Sequence, residues 1–373
     1  MKRGNICISP IDWGLGHATR CIPLIQSLQQ LGYNIYIATE GHHQVILQEA
    51  IPDAHFLTLR GYRIKYTQRK SWFNLAMLLQ TPQIIFSAVY EYFWLKQKAK
   101  QIHFDFIISD NRFGFYHKNI TSVFITHQLN LQTPYTWSTL LFQQFQYRWF
   151  HKFKAVWIPD MESGNGLAGI LSHPAKLPST PLWYMGCLSR LHQNISTNLG
   201  DVNSGINSEV IAKPIPFLGI VSGPEPQRSL FEKILWEQGN QTGKPFVIVG
   251  GRPLHPQQQK SEHGILYSHL SGKELALQIQ QAEYIICRGG YTSLMELIPF
   301  RKKLIVVPTP GQTEQQYLGK QWQDKKWAIC YEQENFNVTT AIDTAHAFNY
   351  TLPPFEEMSQ EALIMQLKKL SLY

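Results

Sequence analysis

Short, fully apolar segments alternate with helical patterns along this 373-residue chain, and this alternation constrains the fold more than any other feature. A strand that is apolar on both sides must be covered on both faces, which is the environment of a parallel sheet between helices. A helical pattern from about His17 to Leu31 ends at Gly32, a residue typical of a helix C-terminus. The predicted strands of the first half are Ile6–Ser9, Ile35–Ala38, Phe104–Ser109, Ser122–Thr126 and Ala155–Ile158.

A second alternating series follows a pause in the pattern. The segment from Gln193 to Pro216 is rich in Asn, Ser and Gly and lacks periodicity, which predicts an interdomain linker. The later strands are Phe217–Val221, Phe246–Val249, Gly264–Tyr267, Tyr284–Cys287 and Lys303–Val307. We therefore expect two doubly wound, Rossmann-like α/β domains facing a cleft, with ligands at the strand C-termini. The predicted boundaries are a first domain at 1–192, a linker at 193–214, a second domain at 215–350, and a C-terminal helix in 351–373 that could return to the first domain.

The charge distribution and the cysteine content indicate what the protein binds and in which compartment it lies. Residues 1–185 carry 17 Lys/Arg against 9 Asp/Glu, whereas residues 186–373 carry 17 of each. The first domain is thus expected to face something anionic, unless the excess only aids solubility. Five scattered cysteines, no secretory signal and no long apolar run predict a cytoplasmic protein or one at the inner face of the membrane. The chain has no helix-turn-helix or base-stacking motif, so we expect no nucleic-acid partner.

A glycine turn follows the first predicted strand. In Gly14-Leu15-Gly16-His17-Ala18-Thr19, Thr19 stands where a dinucleotide fingerprint has a third glycine or alanine, so NAD or FAD binding is not expected. His17 falls in the first helical turn, where the helix N-terminus disfavours an imidazolium and should lower the pKa. A neutral imidazole there can accept a proton from an attacking hydroxyl, although a purely structural histidine is the alternative.

Polar residues also follow the third and fourth predicted strands of the first half. Asp110, at the end of a predicted strand, could orient His17, orient an acceptor hydroxyl, or act as the base itself. The structural alternative is a turn aspartate paired with Arg112. His127 holds a similar place after the next strand and ranks third, because a lone histidine is more often structural.

The stretch from Cys287 to Glu296 is the most informative part of the second half. An apolar strand ends in two glycines and a helix begins with two hydroxyl residues, so backbone amides, hydroxyls and a helix dipole converge. Such a place suits a diphosphate, and a carboxylate one turn into the helix is expected to reach a ribose hydroxyl pair. The predicted ligand-facing residues are Gly289, Gly290, Thr292, Ser293 and Glu296.

Further polar, glycine-bearing loops follow other strands of the second domain. They contain Ser222, Gly223 and Arg228, then Gly250-Gly251-Arg252, then Gln312, Glu314 and Gln315. Their amides and carboxylate suit sugar hydroxyls, and Arg228, Arg252 and Arg288 are expected to supply positive charge. The sequence has no Asp-x-Asp motif and no His/Cys or carboxylate spacing typical of a metal site. Protein groups are therefore expected to stabilise the diphosphate leaving group.

Taken in order, these loops resemble the GT-B glycosyltransferases, and most of all family 28, which contains the lipid-linked peptidoglycan N-acetylglucosaminyltransferase. The resemblance covers nearly the whole chain and is strongest from Arg288 to Gln315. Gly14–His17 is similar to the family's glycine loop with its acceptor-side histidine, although it has fewer glycines, which leaves the acceptor open. The segment similar to the one that contacts the uracil contains Ser268, His269 and Leu270.

The resemblance implies an inverting transferase that takes a uridine diphosphate sugar as co-substrate and needs no cofactor or metal. In the expected direct displacement, His17, with Asp110, removes the proton from the acceptor hydroxyl. One alternative is a UDP-sugar epimerase of the same fold, which would need more acid/base groups around the sugar. Another is a non-catalytic subunit that binds a nucleotide sugar.

The segment from Arg60 to Lys100 combines eight cations with nine aromatic residues and one acid, Glu91. Basic residues beside exposed aromatics suit an anionic bilayer surface. This pattern predicts peripheral membrane contact and a lipid-linked acceptor. The alternatives are that the aromatics face the core of a long helix and that the charge binds a soluble anionic acceptor.

Overall fold

The computed structural model describes residues 3–64, 73–133, 136–192, 214–254 and 256–371. The chain divides into two compact units. Of the described residues, the first unit contains 3–64, 77–188 and 354–371, and the second contains 73–76, 189–192, 214–254 and 256–353. Of the predicted linker, residues 193–213 lie outside the described residues.

The first unit is built on a parallel sheet of seven strands in the order β3-β2-β1-β4-β5-β6-β7. Its strands are β1 (Asn5–Pro10), β2 (Asn34–Thr39), β3 (His55–Thr58), β4 (Phe106–Asp110), β5 (Thr121–Ile125), β6 (Ala155–Ile158) and β7 (Leu182–Tyr184). The helices that connect them are α1 (Gly16–Gln30), α2 (Gly41–Ala50), α3 (Phe73–Gln101) and α4 (Thr136–Phe150). The central strands β4 and β6 are buried along their whole length, as their apolar sequences predict.

The second unit has the same architecture, in the order β10-β11-β9-β8-β12-β13-β14. Its strands are β8 (Ile215–Ile220), β9 (Phe246–Val249), β10 (Gln258–Lys260), β11 (Gly264–Tyr267), β12 (Ala282–Cys287), β13 (Lys303–Val306) and β14 (Ala328–Cys330). The helices are α5 (Gln227–Gln241), α6 (Gly272–Gln281), α7 (Tyr291–Leu297), α8 (Thr313–Asp324) and α9 (Val338–Ala347). All strand pairs are parallel except β10 with β11.

The last helix, α10 (Gln360–Lys369), belongs to the first unit. The chain before it pairs with Cys187, whose amide donates to the carbonyl of Glu356 at 2.7 Å and whose carbonyl accepts from the amide of Met358 at 3.3 Å. Gly186 permits this approach, because a Cβ at that position would lie 2.9 Å from the carbonyl oxygen of Glu356.

The predicted fold class, with two doubly wound α/β domains, is confirmed, and each predicted strand is present within one or two residues of its ends. Four strands were not predicted: β3, β7, β10 and β14. Each lies at an edge of its sheet, where one side of the strand has no neighbour and the sequence need not be apolar. Among the described helices, none is both long and apolar enough to cross a lipid bilayer.

A buried ion pair joins α3 to the connection between β4 and β5. Arg112 donates through Nη1 to Oε1 of Glu91 at 2.5 Å, and Glu91 also accepts from the hydroxyl of Tyr62 at 3.0 Å and the amide of Gly114 at 3.2 Å. Glu91 and Arg112 are both buried. Removal of one partner would leave the other charge buried without compensation.

We therefore expect Glu91→Ala to lower the free energy of unfolding by about 3–5 kcal/mol. Hydrogen exchange of peptides from β4 and α3, measured in urea, would report the loss in the first unit alone. Glu237→Ala is the matched control, because Glu237 forms an exposed pair with Lys233 and should cost about 0–1 kcal/mol. Equal protection in the two variants would contradict a structural role for the buried pair.

Candidate active site

Strand order reverses once in the first sheet, between β1 and β4, and the loops after these two strands diverge at that point. Such a switch point opens a crevice at the carboxyl ends of the strands. The glycine turn follows β1, and Asp110 is the last residue of β4. The topology therefore brings together the two residues that the sequence predicted as catalytic.

The glycine turn is held by a histidine that the sequence analysis missed. Gly14 has a φ of 112°, a conformation that favours glycine, and its carbonyl lies 2.9 Å from Nε2 of His43 on α2. Burial lowers the pKa of His43 to about 4, so the ring is neutral and Nε2–H donates. Nothing in the local sequence of α2 marks this contact, because it depends on how α2 packs beside α1.

His17 and Asp110 form a hydrogen-bonded pair. Nδ1 of His17 lies 2.8 Å from Oδ1 of Asp110, and Asp110 is fully buried whereas His17 keeps 14% of its side-chain surface exposed. Since a carboxylate can only accept, Nδ1 carries the proton and Nε2 keeps its lone pair. The residues described provide Nε2 with no hydrogen-bond partner.

Arg20, one turn along α1 from His17, completes the pair. Its Nε donates to Oδ2 of Asp110 at 2.7 Å, and its Nη2 donates to Oδ1. Its Nη1 lies 3.1 Å from Nδ1 of His127, so His127, ranked third among the candidates, does belong to this cluster. The suggested pairing of Asp110 with Arg112 is wrong, because Arg112 binds Glu91 instead.

The electrostatics of this cluster separate the roles of its acid and its base. Burial alone would raise the pKa of Asp110, but Arg20 and His17 hold it well below its usual range, so Asp110 stays ionised. Burial and then Arg20 lower the pKa of His17, against the opposite effect of Asp110. The pKa of His17 is lowered, as predicted from the helix N-terminus, but the causes are burial and Arg20. Because Asp110 is ionised and both of its oxygens already accept hydrogen bonds, it is suited to orienting His17 rather than to acting as the base.

The second sheet has its own switch point, between β8 and β12. Hydrogen bonds connect the loops at this edge. The amide of Gly250 donates to the carbonyl of Tyr267 at 2.8 Å, and that of Arg252 donates to the carbonyl of Ser268 at 2.6 Å. The loops after β9 and β11, which were predicted separately from the sequence, are thus joined by hydrogen bonds.

The glycines after β12 pack against the start of α8. A Cβ on Gly289 would lie 3.0 Å from the carbonyl oxygen of Gln315, so a larger residue would push the two segments apart. Gln315 is buried, and its Oε1 accepts from the amide of Thr309 at 2.8 Å, which fixes the loop after β13. Thr292 and Ser293 lie in the first turn of α7, as predicted.

The predicted ribose ligand, Glu296, has a protein partner. Its Oε1 accepts from Nε of Arg190 at 3.1 Å, and its backbone carbonyl lies 3.4 Å from the hydroxyl of Ser189. The sequence analysis missed Arg190, which lies just before the predicted linker and belongs to no recognisable motif. Of the remaining predicted residues, Glu314 lies in the first turn of α8, and the others lie in the loops after β8, β11 and β13: Ser222, Gly223, Ser268, His269, Leu270 and Gln312.

The three arginines that were expected to supply positive charge are occupied by the protein itself. Arg228 binds Glu225 at 2.7 Å, and Arg252 binds Glu232 at 2.9 Å. Arg288 is fully buried and donates to the carbonyl of Gln227 at 2.8 Å and that of Val307 at 3.2 Å. Burial lowers the pKa of Arg288 to about 9. Arg288 thus carries its charge beside the loop after β12 but offers no exposed surface to a ligand.

Within the ranges that the structure describes, no group of three or more His, Cys, Asp or Glu side chains could hold a metal ion. Residues 218–371 match the family model described as the glycosyltransferase family 28 C-terminal domain. No curated protein matches the sequence.

Solved structures share the fold. The glycotransferase of kitacinnamycin is 13% identical with a TM-score of 0.62 and covers 99% of this chain and 94% of its own. The spinosyn rhamnosyltransferase SpnG complexed with thymidine diphosphate is 12% identical with a TM-score of 0.61, over 100% and 96% of the two chains. The UDP-GlcNAc 2-epimerase of Methanocaldococcus jannaschii, in complex with UDP-GlcNAc and UDP, is 13% identical with a TM-score of 0.59, over 98% and 99%. The predicted resemblance to GT-B glycosyltransferases of the family 28 type is confirmed.

We expect His17 to remain neutral at pH 6.5, because burial and Arg20 lower its pKa from that ordinary value. The ring should gain a proton only as the pH falls further. An NMR titration of ¹³C-labelled histidine, with the signal assigned from its loss in His17→Gln, would measure the midpoint. A midpoint at or above that of histidine in an unstructured peptide would contradict this electrostatic picture.

Proposed function

We infer that this chain is a glycosyltransferase that moves a sugar from a nucleotide diphosphate donor to a hydroxyl acceptor, because residues 218–371 match the family 28 C-terminal domain and solved glycosyltransferases share its fold. We propose a uridine diphosphate sugar as the donor, inversion at the anomeric carbon, and no metal ion. The observation that carries the mechanism is the His17–Asp110 pair, with Nε2 of His17 left for the substrate.

The donor half of the proposal places the diphosphate on the second unit. The backbone at Gly290 is open to a ligand, because a Cβ there would meet nothing closer than 3.8 Å, whereas Gly289 is buried against Gln315. Hydroxyls of Thr292 and Ser293 and the amide of Gln315 lie beside these glycines and can donate to phosphate oxygens. Neutral donors of this kind, rather than arginines, would stabilise the charge on the leaving diphosphate.

The uracil half of the donor is assigned to the loop after β11. Ser268 is buried there. Its hydroxyl accepts from the amide of Gln257 at 2.6 Å and its own amide donates to the carbonyl of Gln257 at 2.9 Å, which fixes the loop. One similar structure was solved with UDP and another with thymidine diphosphate. A comparison of the two nucleotides therefore belongs in the binding test.

The base in the proposed reaction is His17. The acceptor oxygen forms a bond to the anomeric carbon as the bond from that carbon to the diphosphate oxygen breaks, and the diphosphate leaves with the electron pair. The acceptor proton moves to Nε2 of His17, and the resulting imidazolium is stabilised by Asp110. A single base and no covalent intermediate give inversion.

An epimerase is the alternative enzyme, since one similar structure is a UDP-GlcNAc 2-epimerase. Incubation with a UDP-sugar alone separates the two functions. An epimerase converts the sugar to its epimer, whereas a transferase leaves it intact or slowly hydrolyses it. Formation of an epimer from the donor alone would overturn the transferase proposal.

For the base, we expect His17→Ala to lower turnover by about 100- to 10,000-fold, the usual contribution of a general base. Affinity for UDP should stay unchanged, because the proposed donor residues belong to the second unit. His151→Ala, at an exposed histidine of the same unit, is the control. Full turnover in His17→Ala together with an inactive Asp110→Asn would exchange the two roles.

For the donor, we expect Ser293→Ala and Glu296→Ala to weaken UDP binding by about 10- to 100-fold, because a hydrogen bond to a charged group contributes about 1.5–3 kcal/mol. Calorimetry in excess EDTA would measure the affinities, with Glu334→Ala as the exposed control. Wild-type affinity in both variants would reject the assigned residues. Binding that requires added magnesium or manganese would reject the metal-free site.

We also propose that the first unit contacts an anionic membrane and that the acceptor is lipid-linked. Of the segment from Arg60 to Lys100 that predicts membrane contact, residues 65–72 lie outside the described ranges. Along α3, large apolar side chains are exposed at Leu79, Ile85, Phe86, Val89, Tyr90 and Phe93. The alternative in which the aromatics face the core holds for Trp94, which is half-buried, but not for Phe93, which is 60% exposed.

A second helix, which the sequence analysis did not single out, extends this surface. α4 exposes Trp137, Leu140, Leu141, Phe142 and Phe145, with Trp137 68% exposed. Both helices pack against the connection between β4 and β5, because Tyr92 of α3 contacts Tyr116 and Trp149 of α4 contacts Phe113. Exposed apolar surface of this extent marks an interaction site, and the cations at Lys96, Lys100, Arg148 and Lys152 favour an anionic bilayer.

We expect the protein to sediment with vesicles of phosphatidylglycerol and phosphatidylcholine at low salt, and less so at high salt or with phosphatidylcholine alone. Phe86→Glu combined with Phe93→Glu should abolish sedimentation. Leu352→Glu is the matched control, since Leu352 is 58% exposed and belongs to the second unit. No sedimentation of the wild type at low salt would favour a soluble acceptor.

A further inference from the structure

Arg20 occupies an unusual position for a cation. It lies on α1, three residues after His17, with 1% of its surface exposed. A buried guanidinium is costly unless its donors are satisfied. Here Nε and Nη2 bind the two oxygens of Asp110, and Nη1 reaches Nδ1 of His127. One guanidinium thus bridges the carboxylate that orients His17 and a second, buried histidine.

The bridge fixes the protons on both imidazole rings. An arginine can only donate, so Nδ1 of His127 must accept and the proton of its neutral ring lies on Nε2. Asp110, held ionised by the same guanidinium, can only accept, so the proton of His17 lies on Nδ1. The two rings therefore hold opposite tautomers, and each assignment depends on Arg20.

We propose that Arg20 is a positioning residue that sets the tautomers of His17 and His127 and keeps His17 in its neutral form. Its role in catalysis rests on the proposed function, because it acts through the base. The charged and titratable groups around His17 are Asp110, Arg20, His127, His43 and Cys21, whose thiol donates to Oδ2 of Asp110 at 3.3 Å. Arg20 opposes a proton on His17, and Asp110 favours one.

Two substitutions separate the charge of Arg20 from its shape. Arg20→Gln removes the positive charge, so the NMR titration midpoint of His17 should rise. Arg20→Lys keeps the charge, so the midpoint should stay low. A single ammonium cannot span Asp110 and His127 as the guanidinium does, so long-range ¹H–¹⁵N spectra of Arg20→Lys should show His127 shifting toward its Nδ1–H tautomer.

Arg112→Lys is the matched control, because Arg112 is equally buried in the same unit but binds Glu91. It should lower stability and leave the midpoint of His17 and the tautomer of His127 unchanged. If Arg20→Gln does not fold, Arg20→Lys alone still tests the proposal through the tautomer of His127. An unchanged His127 tautomer in Arg20→Lys would overturn the proposal, as would an unchanged His17 midpoint in a folded Arg20→Gln.

The spectra need no substrate, so they fail or succeed independently of the proposed function. With a transferase assay in hand, Arg20→Lys should lower turnover by about 100-fold, the effect of misplacing a catalytic group by about 1 Å. In Arg20→Gln the acidic limb of the pH–rate profile should move to higher pH. A shifted midpoint together with full turnover in His17→Ala would reject His17 as the base while keeping the role of Arg20 in protonation.

Discussion

Parallel pairing of buried strands is the constraint on which the rest of this protein depends. Because parallel neighbours point the same way, every loop that follows a strand emerges at one edge of its sheet. In the first sheet this brings the turn after β1 to the end of β4, which places His17 beside Asp110. In the second sheet it brings the loops after β8 and β12 to the same edge. Helices on both faces cover the apolar strands.

Three buried arginines bind groups of the protein itself. Arg20 binds Asp110 and His127, and Arg112 binds Glu91. Arg288 donates to the carbonyls of Val307 and Gln227, and its guanidinium lies 4.0 Å from the centre of the Phe231 ring. A cation close to a ligand loop in the sequence is therefore not a cation available to a ligand. Neutral donors are the groups that the proposed function assigns to the diphosphate.

The uneven charge of the chain coincides with exposed apolar surface in the same unit. The excess of Lys and Arg lies in the first 185 residues, and the large exposed apolar faces of α3 and α4 belong to the same unit. Charge alone would fit a soluble anion as well as a membrane. Exposed aromatic and aliphatic side chains on two neighbouring helices are what favour a bilayer, because a small soluble ligand does not need so extended an apolar surface.

The sequence by itself determined the fold class, the central strands and the loops that carry the candidate site, because fully buried parallel strands need continuous apolar runs and turns need glycine. It could not determine the edge strands such as β10, whose Gln258-Gln259-Lys260 has no apolar signal. Nor could it choose a partner for Asp110 between Arg112, two residues away, and Arg20, 90 residues away. Tertiary structure decided this, and with it the roles of His43, His127 and Arg190, because hydrogen bonds between distant segments follow strand order and helix packing, which no local spacing records.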